Sequence, residues 1–189
     1  MRGQAHLLEA VVAGLLLVAS VLFAIQMTAV TPLSASTSNQ HIENQQRGMI
    51  QGMLAVAEEK DALKPAVLFW NETESEFHDA GSRGYYTSSP PPNEFGRLIE
   101  ETFSESGTAY NVYVVFQTDT GDQRRERMVY NGAPSDNAVS AGRSITLVND
   151  DTVHDDTETI TNSSFYANDV ADETGFFNHV RVEVVVWRV

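Results

Sequence analysis

Asn178–Val189 reads NHVRVEVVVWRV. Val180, Val182, Val184 and Val186 alternate with Arg181 and Glu183, so an extended backbone puts the valines on one face and the charges on the other. A period of two in β-branched residues predicts a strand with one face against a core. Three segments upstream read the same way. Tyr110–Thr118 (YNVYVVFQT) is rich in β-branched and aromatic residues, and Arg125–Tyr130 follows it across the turn DTGDQ, which predicts a hairpin. Gly142–Asn149 (GRSITLVN) completes an antiparallel sheet.

Ahead of the strands the periodicity is helical. Phe95, Leu98, Ile99 and Phe103 share a face within Asn93–Ser106, which predicts one helix. Residues 81–94 (GSRGYYTSSPPPNE) contain Pro90, Pro91 and Pro92 and read as an irregular loop. Ala66–Trp70 (AVLFW) reads as a short buried strand leading into the acidic loop NETESEFHD. Ile42, Met49, Ile50, Met53, Leu54 and Ala57 recur at spacings of three, four and seven, as an amphipathic stem helix requires. Thr37 and Gln40 suit a capping box at its start, Lys60 and Lys64 suit its C-terminal dipole, and Pro65 is expected to stop it. The methionines read as adaptable core filler. LSASTSNQ, just after Pro32, has the composition of a flexible joint.

The N-terminus is different again. Ala10–Ile25 (AVVAGLLLVASVLFAI) carries no charge, and the apolar character extends from Leu7 to Val30. That is about 24 residues, or roughly 36 Å of helix, which predicts a transmembrane span ended by Thr31 and Pro32. Arg2 precedes the span and the next basic residue is Arg47, so the N-terminus is expected inside and the rest of the chain outside. Glu9 sits at the edge of the apolar run, where a carboxylate is costly unless paired. It reads either as a headgroup-layer residue or as a partner for the α-amino group of a neighbouring subunit.

Arg2-Gly3-Gln4, then His6-Leu7-Leu8-Glu9 and an apolar helix, resembles the processing region of type IV pilins and their archaeal relatives. The resemblance implies a prepilin-type peptidase that removes a short basic leader. A cut between Gln4 and Ala5 makes Glu9 the fifth residue of the mature chain, the pilin position; a cut between Gly3 and Gln4 makes it the sixth. Glu9 then sets the register between packed subunit helices. The implied fold is α+β: a long N-terminal transmembrane helix continues into the amphipathic stem and packs on the antiparallel sheet. The expected organisation is a processing region and span at 1–32, a linker and stem helix at 33–64, and an extracytoplasmic α+β domain at 65–189.

Composition narrows the function. The 189 residues hold 26 acidic and 12 basic side chains, a formal net charge of -14, which argues against nucleic acid as a partner. Only Lys60 and Lys64 are lysines, and there is no cysteine, so disulfide, thiol and iron–sulfur chemistry are excluded. The acidic, lysine-poor balance suits a surface hydrated in concentrated salt and resembles pilin-like surface proteins of halophilic archaea. No Gly-x-Ser-x-Gly elbow, His-Glu-x-x-His helix or phosphate-binding glycine loop occurs. The histidines at 6, 41, 78, 154 and 179 have no partner at ligand spacing, and His78-Asp79 near Glu76 reads as a solvated acidic loop rather than an acid–base pair. No enzyme, cofactor or metal site is expected. Asp150, Asp151, Asp155, Asp156 and Glu158 read as a hydrated surface, with calcium as the alternative. Asn71 and Asn162 head Asn-x-Ser/Thr tripeptides and are glycosylation candidates.

The expected function is that of a non-enzymatic, pilin-like, membrane-anchored surface protein, a subunit of a filament or pseudopilus whose partners are the membrane, like subunits and the peptidase. The alternative is a single-span anchored binding module that never polymerises and takes its ligand through residues 81–94, where Tyr85, Tyr86 and the prolines cluster.

Overall fold

The valine-alternating segment forms the strand around which the sheet is built. The computed structural model describes residues 2–29, 32–104, 107–154, 159–161, 164–171 and 174–188; within the first two helices, side chains are described at residues 6, 9–25 and from 40 onward. The chain divides into two compact units, Met1–Ile42 and Glu43–Val189.

In the second unit the strands in chain order are β1 (Trp70–Asn71), β2 (Glu76–Phe77), β3 (Thr108–Gln117), β4 (Gln123–Tyr130), β5 (Val139–Val148) and β6 (Phe176–Arg188). The last four make an antiparallel sheet in the order β4-β3-β6-β5, so β6 is central. Val182 opposes Val114, Val184 opposes Val112 and Val180 opposes Ile145, which stacks apolar side chains across three strands on one face. Val180, Val182, Val184 and Val186 are buried there. The expected hairpin closes with Gln117 opposite Gln123, and Gly121 takes φ 84 in its turn. At the far end of β6, buried Asn178 donates from Nδ2 to the carbonyls of Gln117 (2.9 Å) and Asn168 (2.8 Å), tying that strand end to the preceding loop.

Three helices contribute to the same core: α2 (Pro32–Glu59), α3 (Leu63–Val67) and α4 (Glu94–Phe103). Ile50, Met53, Leu54 and Ala57 of α2 are buried, as the helical period requires, as are Phe95, Leu98, Ile99 and Phe103 of α4. Asn93 caps α4 by accepting a hydrogen bond from the Gly96 amide at 3.0 Å.

Other sequence expectations change. The supposed joint after Pro32 is helical, because proline is well tolerated at the first position of a helix, where its missing N–H has no intrahelical role. The end of α2 is set at Glu59 rather than by Pro65. Asp61 adopts φ 51, and the amides of Ala62 and Asp61 bond to the carbonyls of Ala57 (2.8 Å) and Glu58 (3.0 Å), a Schellman closure. Pro65 lies within α3. The strand expected at Ala66–Trp70 is divided between the end of α3 and the two-residue β1, which pairs with β2. Its burial was nonetheless read correctly: all five residues are buried.

The N-terminal unit forces the largest correction. α1 (Arg2–Ala29) is helical as expected, but among the described residues no helix is long and apolar enough to cross a membrane. The transmembrane helix of the expected fold is therefore withdrawn, and with it the single-pass anchor and the inside–outside orientation.

A charged cluster joins the end of α2 to the start of α4. Lys60 Nζ reaches Glu94 Oε1 at 2.9 Å, Arg97 Nη2 reaches the same oxygen at 2.6 Å, and Arg97 also pairs with Glu101. Hydrogen bonds from Arg97 and then Lys60 hold the Glu94 carboxyl down to about 2, from an ordinary 4.5. A carboxyl depressed in the folded state stabilises it above pH 4.5, and that contribution fades as pH falls toward 2. Glu94→Gln is therefore expected to lower the urea midpoint modestly at neutral pH, with the gap to the wild type closing between pH 4.5 and 2. A gap independent of pH would assign the effect to the cap region instead.

Candidate functional site

α1 displays an apolar surface with no amphipathic division. Val11, Val12, Leu15, Leu16, Leu17, Val18, Val21, Leu22, Phe23 and Ile25 are each 47–67% exposed. Successive helical residues turn by about 100°, so Leu15 to Val18 alone point in four directions around the axis. Glu9, at the head of this surface, is 81% exposed, and its carboxylate lies 3.7 Å from Nδ1 of equally open His6. Such an exposed pair contributes little. Gly3, Gln4 and Ala5 belong to the first turns of α1, and their side chains lie outside the described residues.

The other sequence candidates are dispersed. Asn71 ends β1 and is half-buried; its Oδ1 accepts from the amides of Thr73 (3.0 Å) and Glu74 (3.2 Å), so it organises a tight turn. Asn162, Asp155, Asp156 and Glu158 lie outside the described residues. Asp151 is an ion-pair residue: its Oδ2 meets Lys64 Nζ at 2.9 Å and accepts from the Val148 amide at 2.8 Å.

The loop at residues 81–94 is irregular as expected, but its two tyrosines part company. Tyr86 is buried, bridges to Val129 and donates its hydroxyl to the His78 carbonyl; burial, then the charge of Asp79, raises its pKa. It is a core residue. Tyr85 stays half-buried against Tyr130, ring centroids 5.8 Å apart, with the Arg127 guanidinium 4.7 Å from Tyr130 and 5.8 Å from Tyr85.

Folding also makes pairings that spacing along the chain could not reveal. His78 and His154 come within 5.3 Å, ring to ring, around Phe69. Among the described residues no three His, Asp or Glu side chains gather closely enough to hold a metal ion.

The second notable surface is the face of the sheet turned away from the valine core. The registers place Val115 and Arg125 beside Arg181, and Tyr113 and Gly142 beside Glu183, on that face. Arg125 Nη2 meets Glu183 Oε2 at 2.5 Å, and its guanidinium lies 4.4 Å from the centre of the Tyr113 ring. Arg181 lies across Gly142: a Cβ there would be 2.2 Å from Nε and 3.0 Å from Cζ, so only glycine leaves room for the guanidinium on the sheet. Among the described residues Arg181 makes no ion pair. With His179 and Ser144, these arginines border a depression of about 350 Å³. The alternation of Arg181 with the valines marked this face in the sequence, but nothing there indicated that Gly142 would seat the arginine.

No curated protein and no solved structure matches the chain. A family profile does, across residues 2–186, nearly the whole length, and so includes both α1 and the sheet. The chain belongs to this family of unknown function, DUF7288.

Proposed function

We propose that the chain is a non-enzymatic, pilin-like subunit that assembles with like chains through α1. The observation that carries this reading is the apolar surface of that helix, exposed on every side. Contiguous exposed apolar surface on this scale marks an interaction site. One partner helix covers a single stripe, so a surface apolar all round is satisfied by several neighbouring helices, as in a filament core. Glu9 supports the same reading. Placed among packed apolar helices, its carboxylate needs a cation, and the α-amino group of a neighbour processed at Gln4 or Ala5 supplies one. In that arrangement Gly3, Gln4 and Ala5 serve a prepilin-type peptidase.

Sedimentation velocity of the purified full chain tests this. The wild type is expected to form large assemblies, and the double variant Leu16→Glu/Phe23→Glu to be dispersed. Losing the burial of two such side chains weakens association by at least roughly 100-fold, before the cost of burying the charges is added. Glu9→Gln is expected to retain association but lose uniform register, seen as irregular particles by electron microscopy. A wild-type chain that stays monomeric as concentration rises would overturn the reading.

A further inference from the structure

We propose that the depression on the outward face of the sheet, around Arg181, is a binding site for a carboxylate. This rests on the sheet alone and not on the assembly of α1. At Gly142 the missing side chain leaves room for the exposed Arg181 side chain to cross the strand pairing. The planar fork of the guanidinium matches the two oxygens of a carboxylate. Arg181 has no carboxylate partner among the described residues, whereas neighbouring Arg125 is already engaged with Glu183 and stacked on Tyr113. Ser144 and His179 add hydrogen-bonding groups to the rim of the depression.

Charge selects the ligand class. Arg125 and Glu183 offset each other, which leaves the positive charge of Arg181 to select the ligand. A monoanion is matched; a phosphate dianion brings a charge that nothing here compensates. The chain as a whole is at -14, but charges beyond about 8 Å are largely screened at physiological salt, so contacts inside the depression govern binding. The carboxylate has two chemical sources, an acidic side chain of a protein surface or a free organic acid.

The test is fluorescence anisotropy of labelled hexaglutamate with the full chain, in competition with sodium glucuronate and, at matched ionic strength, sodium chloride. Binding of the peptide or of glucuronate that chloride does not displace supports the site, and the tighter of the two identifies the source. Arg181→Lys keeps the charge but not the fork, and is expected to weaken binding about tenfold. Gly142→Ala is expected to do the same by displacing the guanidinium, and Arg181→Gln, an exposed change that leaves the fold intact by circular dichroism, to abolish binding. Equal binding by wild type and Arg181→Gln, displacement by chloride as effective as by glucuronate, or no binding of either probe would overturn the proposal.

Discussion

Gly96→Ala is expected to destabilise the protein, although alanine is the better helix former by about 1 kcal/mol. Gly96 lies in the first turn of α4, under the polyproline segment. A Cβ at this position would sit 1.8 Å from the Pro91 carbonyl oxygen and 2.9 Å from its carbon. Both are backbone atoms, so no rotamer change relieves the overlap; the Pro90–Pro92 loop must lift off the helix or α4 must shift against the sheet. Overpacking of this kind costs about 1–3 kcal/mol, and rigid backbone on one side places it at the upper end. The clash therefore outweighs propensity, and urea unfolding should show a net loss of about 2 kcal/mol. A stabilised Gly96→Ala variant would mean that the proline loop is not seated on α4 in solution.

Phe77→Ala should cost more. Phe77 is fully buried in the short hairpin β1–β2, and its ring contacts three others: Trp70 edge-on at 5.3 Å, Tyr166 at 5.7 Å and Tyr86 at 6.4 Å. Tyr166 in turn donates its hydroxyl to the Val67 carbonyl at 2.9 Å, and Trp70 Nε1 donates to the Ser164 carbonyl at 3.1 Å, so this aromatic group connects α3, the hairpin and the segment before β6. Truncating a buried phenylalanine costs about 3–5 kcal/mol. Domains of this size have about 5–15 kcal/mol in total, so the variant is expected to populate unfolded chain under mild conditions. The readout is a urea midpoint followed by tryptophan fluorescence, in which Trp70 reports the loss directly. A loss below about 1 kcal/mol would show that the hairpin is peripheral to the cooperative unit.

The aromatic group around Phe77 joins side chains far apart in the chain, and such contacts divide what was legible in the sequence from what was not. The periodic elements were legible. β3, β4, β5 and β6 fall where alternation placed them, to within a few residues, and α4 buries the four apolar residues its spacing indicated. Alternation at a period of two, or recurrence at three and four, is a local signal, because it reflects one face of one element meeting a core. The helicity of Arg2–Ala29 was legible for the same reason. Its expected role as a membrane span is what the structure overturns, since among the described residues no helix is long and apolar enough to cross a membrane.

Tertiary structure decided the rest. Whether Ala66–Trp70 is strand or helix was settled by α3 packing beneath the sheet, since a short apolar run is buried either way. Tyr85 and Tyr86 are adjacent and chemically identical, yet only Tyr86 reaches the core, because it alone bridges to Val129. His78 met His154, and Arg181 found its seat on Gly142, through contacts between residues dozens of positions apart. By itself the sequence determined the elements and their apolar faces, which follow from the local geometry of helix and strand. Strand order, the seating of arginines on the outward face and the aromatic group around Phe77 came only with the fold, because each arises from pairing between distant segments that no local period encodes.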